Sequence, residues 1–481
     1  MNKVSSNLFK NRKYISDELA AEENFDVIEL PLTHGDINMI LFTVDGLSKD
    51  TAIIHIQKEL ADHADKIKNG SRVDKLLQSV LPYLELSTTN DLDETIDQVL
   101  AGPAALLIDG AEKVILIDTR EYPVRSIAEP ETEQIVRGAK DGFVETIVFN
   151  TALTRRRIRD RRLRMEHLTV GQRSKTDICI SYMKDIANPH LVQEMKKAIE
   201  NINIDGLPMA DKTLEEYIFG HYMNPYPLVR YTERPDVAAA HLLEGHILLF
   251  VDGSPTVMIT PVTFWHHLQH AEEYRQKPII GTMHRFVRFT AVWASLFLLP
   301  LWFLYAEGLI DTPDVIHYIG EEKEGSVPLL IQFLVAETGI EMLRMAAIHT
   351  PTALATALGL VAAILIGQIA IDVGLFSPEV VLYLAVAAIG SFATPSYELS
   401  LANRLWRIIF LLCAAAAGLS GFIAAVTFWC ILLIRLKPVH IPYFWPLIPF
   451  SFHSLGDIFK RKPIPLKSRR PQITTRVNEK K

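Results

Sequence analysis

The chain has 481 residues, with 49 Lys and Arg against 56 Asp and Glu, for a net charge of −7. It is 49% hydrophobic and only 22% charged, which excludes a disordered chain. The charge is unevenly spread: residues 286–456 hold only 7 basic and 11 acidic side chains, and six of those acids fall within 307–324. A wholly soluble protein is therefore excluded, and the length predicts two or three domains. The expected fold class is an α/β cytosolic N-terminal region of two similar small subdomains, followed by an all-α multi-pass membrane domain. The expected boundaries are a tail over 1–29, subdomains over 30–154 and 171–284, an arginine-rich linker over 155–170, a transmembrane domain over 285–456 and a basic tail over 457–481.

The polar stretch Met1 to Lys13 has no apolar core, so no cleavable signal is visible. Asp36 to Phe42 reads as a strand, followed by Asp45-Gly46 and a helix from Thr51 to Lys66. Asp177 to Tyr182 is a similar strand, followed by a loop and Pro189 at the start of a helix. Ala104 to Gly110 leads through a turn to Val114–Ile117, and Ile247 to Gly253 leads to Val257–Thr260. Both pairs read as Asp-Gly hairpins. The near-constant spacing of about 140 residues between the two sets predicts an internal repeat.

Between the repeats lie Arg155, Arg156, Arg157, Arg159, Arg161, Arg162 and Arg164. Such a cluster suits a partner protein, phosphate or anionic lipid. The alternative is that its arginines pair with acids on the two flanking subdomains. The acidic balance of the whole chain argues against nucleic acid.

Phe286 to Tyr305 reads as a first transmembrane helix. The acidic loop after it and the nine Lys and Arg of 460–481 place the N-terminal domain and the C-terminal tail in the cytosol by the positive-inside rule. Thr352–Ile371 and Val380–Ala393 are the next apolar segments. Residues 404–436 are too long for one straight crossing, and are expected either to tilt or to fold as two pieces around Gly418-Leu419-Ser420-Gly421. Ala414, Ala417, Gly418 and Gly421 form small-xxx-small pairs that allow close helix packing. Pro438, Pro442, Pro446 and Pro449 cannot continue a helix and read as an interfacial or re-entrant segment.

Val327 to Ile348 is long enough to span but holds Glu337, Glu341 and Arg344. At ~100° per residue these three share one helix face. Exposing that face to lipid would cost about 2.5–3.5 kcal/mol per charge, so it must meet protein or water. One reading is a pore lined by this helix from several subunits, with Leu334, Ile340 and Leu343 as an apolar gate. The other is an interfacial helix with Glu341 and Arg344 paired. Gln368 and Asp372 are weaker candidates for the same pathway. His266, His267 and His270, with Glu272 and Glu273, fit a juxtamembrane helix better than a metal site. The residues carry no nucleophile elbow, Walker loop or zinc-protease helix, and they motivate no enzyme, cofactor or metal.

Several stretches resemble the A subunits of bacterial spore germination receptors. They include Glu129-Pro130, Gly142-Phe143, Arg155-Arg156-Arg157-Ile158, Lys175-Thr176-Asp177, Ile186-Ala187-Asn188, Tyr231 to Asp236, Val251 to Pro255 and Ser391 to Pro395. Asn224 to Val229 and His266 to Tyr274 look most like the stage V sporulation protein AF branch of that family. Tyr226-Pro227-Leu228 departs from the Phe-Pro-Gln common in receptor A subunits, which argues against direct nutrient binding. The resemblance implies a spore inner-membrane protein that forms ring homo-oligomers, pentamers in the family, alongside a second germination subunit. It also implies release of monovalent cations during germination. The germinant-binding receptor, the transporter and the scaffold remain open alternatives.

Overall fold

In the computed structural model the described residues are 2–34, 37–62, 85–120, 130, 133–310, 326–349, 367–466 and 470. The acidic loop beyond 310, the segment 352–366 and most of the basic tail lie outside them. The chain divides into two compact units. One comprises Met1–His221, Val229–Val262 and Ile464–Lys481, and the other Tyr222–Leu228 and Thr263–Pro463.

The first unit is a structural duplication. Its first repeat runs α1 (Leu8–Leu19), β1 (Val27–His34), β2 (Ile37–Val44), α2 (Asp50–Asp62), β3 (Leu86–Thr89), α3 (Leu92–Ala101), β4 (Ala104–Ile108) and β5 (Val114–Ile117). The second runs α4 (Ile147–Arg157), β6 (Leu163–Val170), β7 (Thr176–Met183), α5 (Pro189–Glu200), an added α6 (Ala210–Phe219), β8 (Arg230–Thr232), α7 (Pro235–Leu243), β9 (Ile247–Val251) and β10 (Val257–Thr260). Each repeat builds a five-stranded antiparallel sheet, in the orders β1-β2-β4-β5-β3 and β6-β7-β9-β10-β8. The two orders match strand for strand. Both expected hairpins are present, as antiparallel pairs β4–β5 and β9–β10 whose residues are all buried.

The correspondence extends to single hydrogen bonds. Asn11 in α1 donates to Ser5 O and accepts from Ser5 N, while Asn150 in α4 donates to Val144 O and accepts from Val144 N. The Leu8 amide donates to Asp109 and the Ile147 amide to Asp252, each aspartate belonging to the Asp-Gly turn of its own repeat. A side-chain amide that satisfies both groups of one residue fixes how the chain enters the helix.

The described elements begin the first repeat at α1, not at residue 30. They place 155–170 across a helix end and the edge strand β6, not in a linker. A polar helix such as α1 has few apolar positions to advertise it, yet Leu8, Ile15 and Leu19 are buried in the first core.

The two repeats are joined through α4. Ala152 packs in the first core and Leu153 in the second, so one helix serves both. The loop after β2 lies on the same helix. A Cβ on Gly46 would come within 2.7 Å of the Ala152 Cβ and 3.2 Å of the Val148 carbonyl oxygen, and Gly46 has a φ of +72°. Only glycine suits both the approach and the backbone there. Phe25 meets His167 of β6 at a tilted 5.7 Å between ring centroids, and its amide donates to Met165 O. Arg155, fully buried, grips Asp26 through Nε at 2.8 Å and Nη2 at 3.0 Å, and donates to Leu163 O.

Four other arginines of the cluster also hold acidic partners. Arg157 pairs with Asp141, Arg161 with Glu18 and Asp93, Arg162 with Asp160 and Asp185, and Arg164 with Glu23. Glu18, Glu23, Asp26 and Asp93 belong to the first repeat, so the cluster ties the two repeats together. Arg156, Arg159 and Arg162 are exposed.

The second unit is helical: α8 (Ala271–Arg275), α9 (Pro278–Ala306), α10 (Leu329–His349), α11 (Pro378–Phe392), α12 (Tyr397–Arg435) and α13 (Phe452–Phe459). Among the described residues α9 and α12 are long and apolar enough to cross a membrane. α12 is broken at Ala417 and Gly418, whose backbone leaves the helical region, with φ +62° at Gly418. Its two parts fold back on each other. Phe410 meets Phe422 at 5.9 Å and Trp406 meets Phe428 at 6.0 Å. In a straight helix residues 406 and 428 would be ~33 Å apart. Of the two expectations for this stretch, folding in two pieces is the one observed. Gly421 lets the arms close, since a Cβ there would lie 2.1 Å from the Cys413 carbonyl.

Replacing Asp26 with Ala leaves Arg155 as an uncompensated buried charge. We expect a loss of about 3–5 kcal/mol of stability, read from denaturant unfolding, as for other broken buried pairs. A second expectation concerns acid. Burial pushes the His241 pKa down to about 3, helped by neighbouring His246 and Arg230. The unfolded chain takes up this proton near pH 6.5 and the folded one only near 3, so stability falls as pH falls through that window. His241→Gln should flatten the fall in melting temperature between pH 7 and pH 4.

Candidate functional site

The helical unit contains a buried charged cluster built on α10 and the first arm of α12. Glu337 and Glu341 stand one turn apart on α10, and Arg404 and Arg407 stand one turn apart on α12, so each pair shares a helix face. Glu337 is 3% exposed. It accepts from Arg404 Nε at 3.1 Å and pairs with Arg407 Nη2 at 2.6 Å, while its carbonyl takes Arg404 Nη2 at 2.7 Å. Arg407 Nη1 also donates to Ser295 O of α9 at 2.7 Å. Arg404 reaches Glu341 as well, and Arg344 lies 3.7 Å from that same carboxylate. The Glu341 side chain keeps 35% of its surface exposed, against 13% for Arg344.

Two carboxylates thus face three guanidiniums. A charge in an apolar helix bundle is tolerable only when paired and hydrogen-bonded. Glu337 meets that condition inside one chain, and this locks α10 against α12 and, through Ser295, α9.

The three α10 residues singled out from sequence are brought together. Leu334, Ile340 and Leu343 are half-buried on the same helix. Gln368 and Asp372 are exposed and sit on the separate stretch 367–372. Sequence reasoning missed Arg404, Arg407 and Gln332. Two arginines three residues apart in an apolar run were the available signal for the first two. Gln332, 1% exposed, donates to Val327 O at 2.8 Å and accepts from Ser377 N at 2.8 Å, which ties the start of α10 to the cap of α11.

A second ionic knot secures the juxtamembrane end of α9. Glu273, fully buried, pairs with Arg285 at 2.8 Å and with Arg288, and Arg285 donates at 2.8 Å to the carbonyls of Asp457 and Ile458. His270 caps α8 and His266 closes a capping box with Thr263. Among the described residues no group of His, Cys, Asp and Glu is placed to hold a metal. Tyr226 is buried in this unit. It accepts from Trp429 Nε1 at 2.5 Å and donates to Asn403 at 3.2 Å.

Residues 13–473 match the family model for the Bacillus/Clostridium GerA spore germination protein. The chain belongs to that family. It is 48% identical over 471 residues to the stage V sporulation protein AF of Bacillus subtilis strain 168, covering 98% of this chain and 96% of that protein. It is 30% identical to the spore germination protein GerLA of Bacillus cereus, covering 98% and 96%. One solved structure it resembles is the N-terminal domain of the A subunit of the Bacillus megaterium spore germinant receptor GerK3, at 25% identity and a TM-score of 0.43, covering 55% of this chain and 98% of that one. As a member of the GerA family the chain is a spore germination protein of the A-subunit type.

Glu337→Ala strands two buried arginines, and we expect about 3–5 kcal/mol of destabilisation, measured as thermal unfolding in detergent. Arg344→Ala, at the cluster's edge, should cost no more than about 1 kcal/mol.

Proposed function

We propose that this GerA-family chain is a membrane subunit that assembles as a ring of copies, pentameric by family resemblance, and releases monovalent cations as germination begins. The observation that carries the reading is Glu341. It is the carboxylate of the α10 pair that keeps a third of its surface open, in a unit otherwise built of apolar helices. Ionisable groups at membrane depth are costly and mark ion pathways, and a ring of glutamates favours cations.

In the closed state Arg404 holds both carboxylates, and Leu334, Ile340 and Leu343 keep water out. A shift of α10 along α12 that frees Glu341 from Arg404, while Arg407 retains Glu337, turns a neutralised carboxylate into a cation ligand. Gln368 and Asp372 extend the path. The chain would sit in the spore inner membrane, with the duplicated unit and the basic tail on the core side. Exposed Arg156, Arg159 and Arg162 would meet a second germination subunit or lipid headgroups. The activity is conduction, not enzymatic turnover.

The test is cation flux from proteoliposomes holding the full chain. Glu341→Gln should lower potassium flux several-fold, and Leu334→Ala should raise the resting leak. Absence of flux from the parent and from Leu334→Ala, Ile340→Ser and Leu343→Ala alike would end this reading.

A further inference from the structure

Seven residues that lie between α6 and β8 in the chain, Tyr222–Leu228, are lodged in the helical unit with Thr263–Pro463. Tyr226 is the anchor of this segment. It is 2% exposed and lies beside Phe264, with ring centroids 6.4 Å apart. Its hydroxyl joins the two arms of α12. It accepts from Trp429 Nε1 of the second arm at 2.5 Å and donates to Asn403 Oδ1 of the first arm at 3.2 Å. Asn403 and Trp429 are both buried, and the Asn403 amide nitrogen has no partner among the described residues. A buried amide bonded on one side only takes its orientation from that bond. Asn403 precedes Arg404 and stands one turn before Arg407, the two arginines that hold Glu337 and Glu341. The hydroxyl is therefore one helix residue away from the charged cluster.

The segment is stiff, and its link to the sheet is short. The Asn224 side chain accepts from Tyr226 N at 3.1 Å and donates to Tyr226 O at 2.8 Å. Pro225 and Pro227 fix the backbone on either side of Tyr226. β8 begins at Arg230, four residues on, and is held firmly in the duplicated unit. It pairs with β10, and the buried Glu133 accepts from Arg230 at 3.0 Å and from the Thr232 hydroxyl. Four residues reach at most about 14 Å when fully extended. The chain from β8 to Tyr226 is thus a strut with little slack.

We propose that the Tyr226 hydroxyl is a clasp through which the duplicated unit controls the charged cluster. Closed, it ties both arms of α12 and holds the first arm where Arg404 keeps Glu341. A displacement of β8 draws Tyr226 away from Asn403, frees the first arm and lets Glu341 go. Tyr226 is a positioning residue: it acts through Asn403 and Arg404 and touches no ion. The inference rests on the conduction reading above for its consequence, but on the two hydrogen bonds and the strut for its place.

Nitroxide labels at Met342→Cys on α10 and Leu405→Cys on the first arm of α12, both exposed positions, report the spacing of the two helices in full-length protein in detergent. Cys413 and Cys430 are replaced by serine for this, and Cys179 is buried. Tyr226→Phe removes the hydroxyl and keeps the ring. It should broaden the 342–405 distance distribution and raise the resting potassium leak from proteoliposomes several-fold. Glu133→Gln, which loosens β8 in the duplicated unit, should broaden the same distances, and Tyr226→Phe added to it should change them no further, because both act through one bond. In a Glu341→Gln background Tyr226→Phe should not raise the leak. Trp429→Phe, which removes only the donor from the second arm, serves as the probe should Tyr226→Phe fail to fold. Distances indifferent to Tyr226→Phe and Trp429→Phe, or to Glu133→Gln, overturn the proposal, and so do effects of Glu133→Gln and Tyr226→Phe that add in full. Flux separates the two readings. Broadened distances in a protein that conducts nothing leave the clasp standing without conduction. A conducting parent whose distances ignore Tyr226→Phe leaves conduction standing without the clasp.

Discussion

Buried charge is the constraint around which both units are arranged. A guanidinium or carboxylate removed from water is stable only against a partner that supplies charge and hydrogen bonds together. Arg155 finds Asp26, Glu337 finds Arg404 and Arg407, and Glu273 finds Arg285 and Arg288. The first two of these contacts join elements distant in sequence, 129 and 67 residues apart, and so determine which parts of the chain must lie together, while the third fixes α8 against the helix that follows it. Hydrophobic burial drives collapse here as elsewhere, but apolar surface is non-directional. The paired charges are what choose one arrangement among many compact ones.

The same constraint bears on function. A carboxylate held by two arginines within its own chain does not line a pathway unless something moves. On the conduction reading proposed above, the helical unit would act as a latch, with Glu337 as the fixed pin and Glu341 as the part able to disengage. The surplus of arginine over glutamate in the cluster makes release of Glu341 electrostatically uneven: Arg404 still has Glu337 when Glu341 leaves.

Much of the fold was legible because its signals are local. The Asp-Gly hairpins, the apolar strands and the switch to apolar helices each occupy a few adjacent residues, and two hairpins at one spacing already implied duplication. α1 was missed because its buried positions are few and its exposed face is polar. The double service of α4 was missed because a helix with apolar residues on opposite faces has no single stripe to read. For the charged cluster, periodicity placed Glu337, Glu341 and Arg344 on one face, but spacing along a helix says nothing of what packs against that face. Arg404 lies 67 residues further on, and a contact at that separation is decided by tertiary packing. The turn at Gly418 was half legible, since small residues mark where a bend is permitted, and the aromatic pairs that hold the arms together appear only in three dimensions.

The helix shared by the two repeats has a consequence for the history of the molecule. Once Ala152 entered the first core and Leu153 the second, neither half could return to independence without opening both interiors to water. Asp26 and Arg155 became a coupled pair, in which loss of either partner is penalised until the other is replaced. A duplication that began as two interchangeable modules has thereby become a one-way commitment, and the halves are free to diverge everywhere except along the seam that fused them.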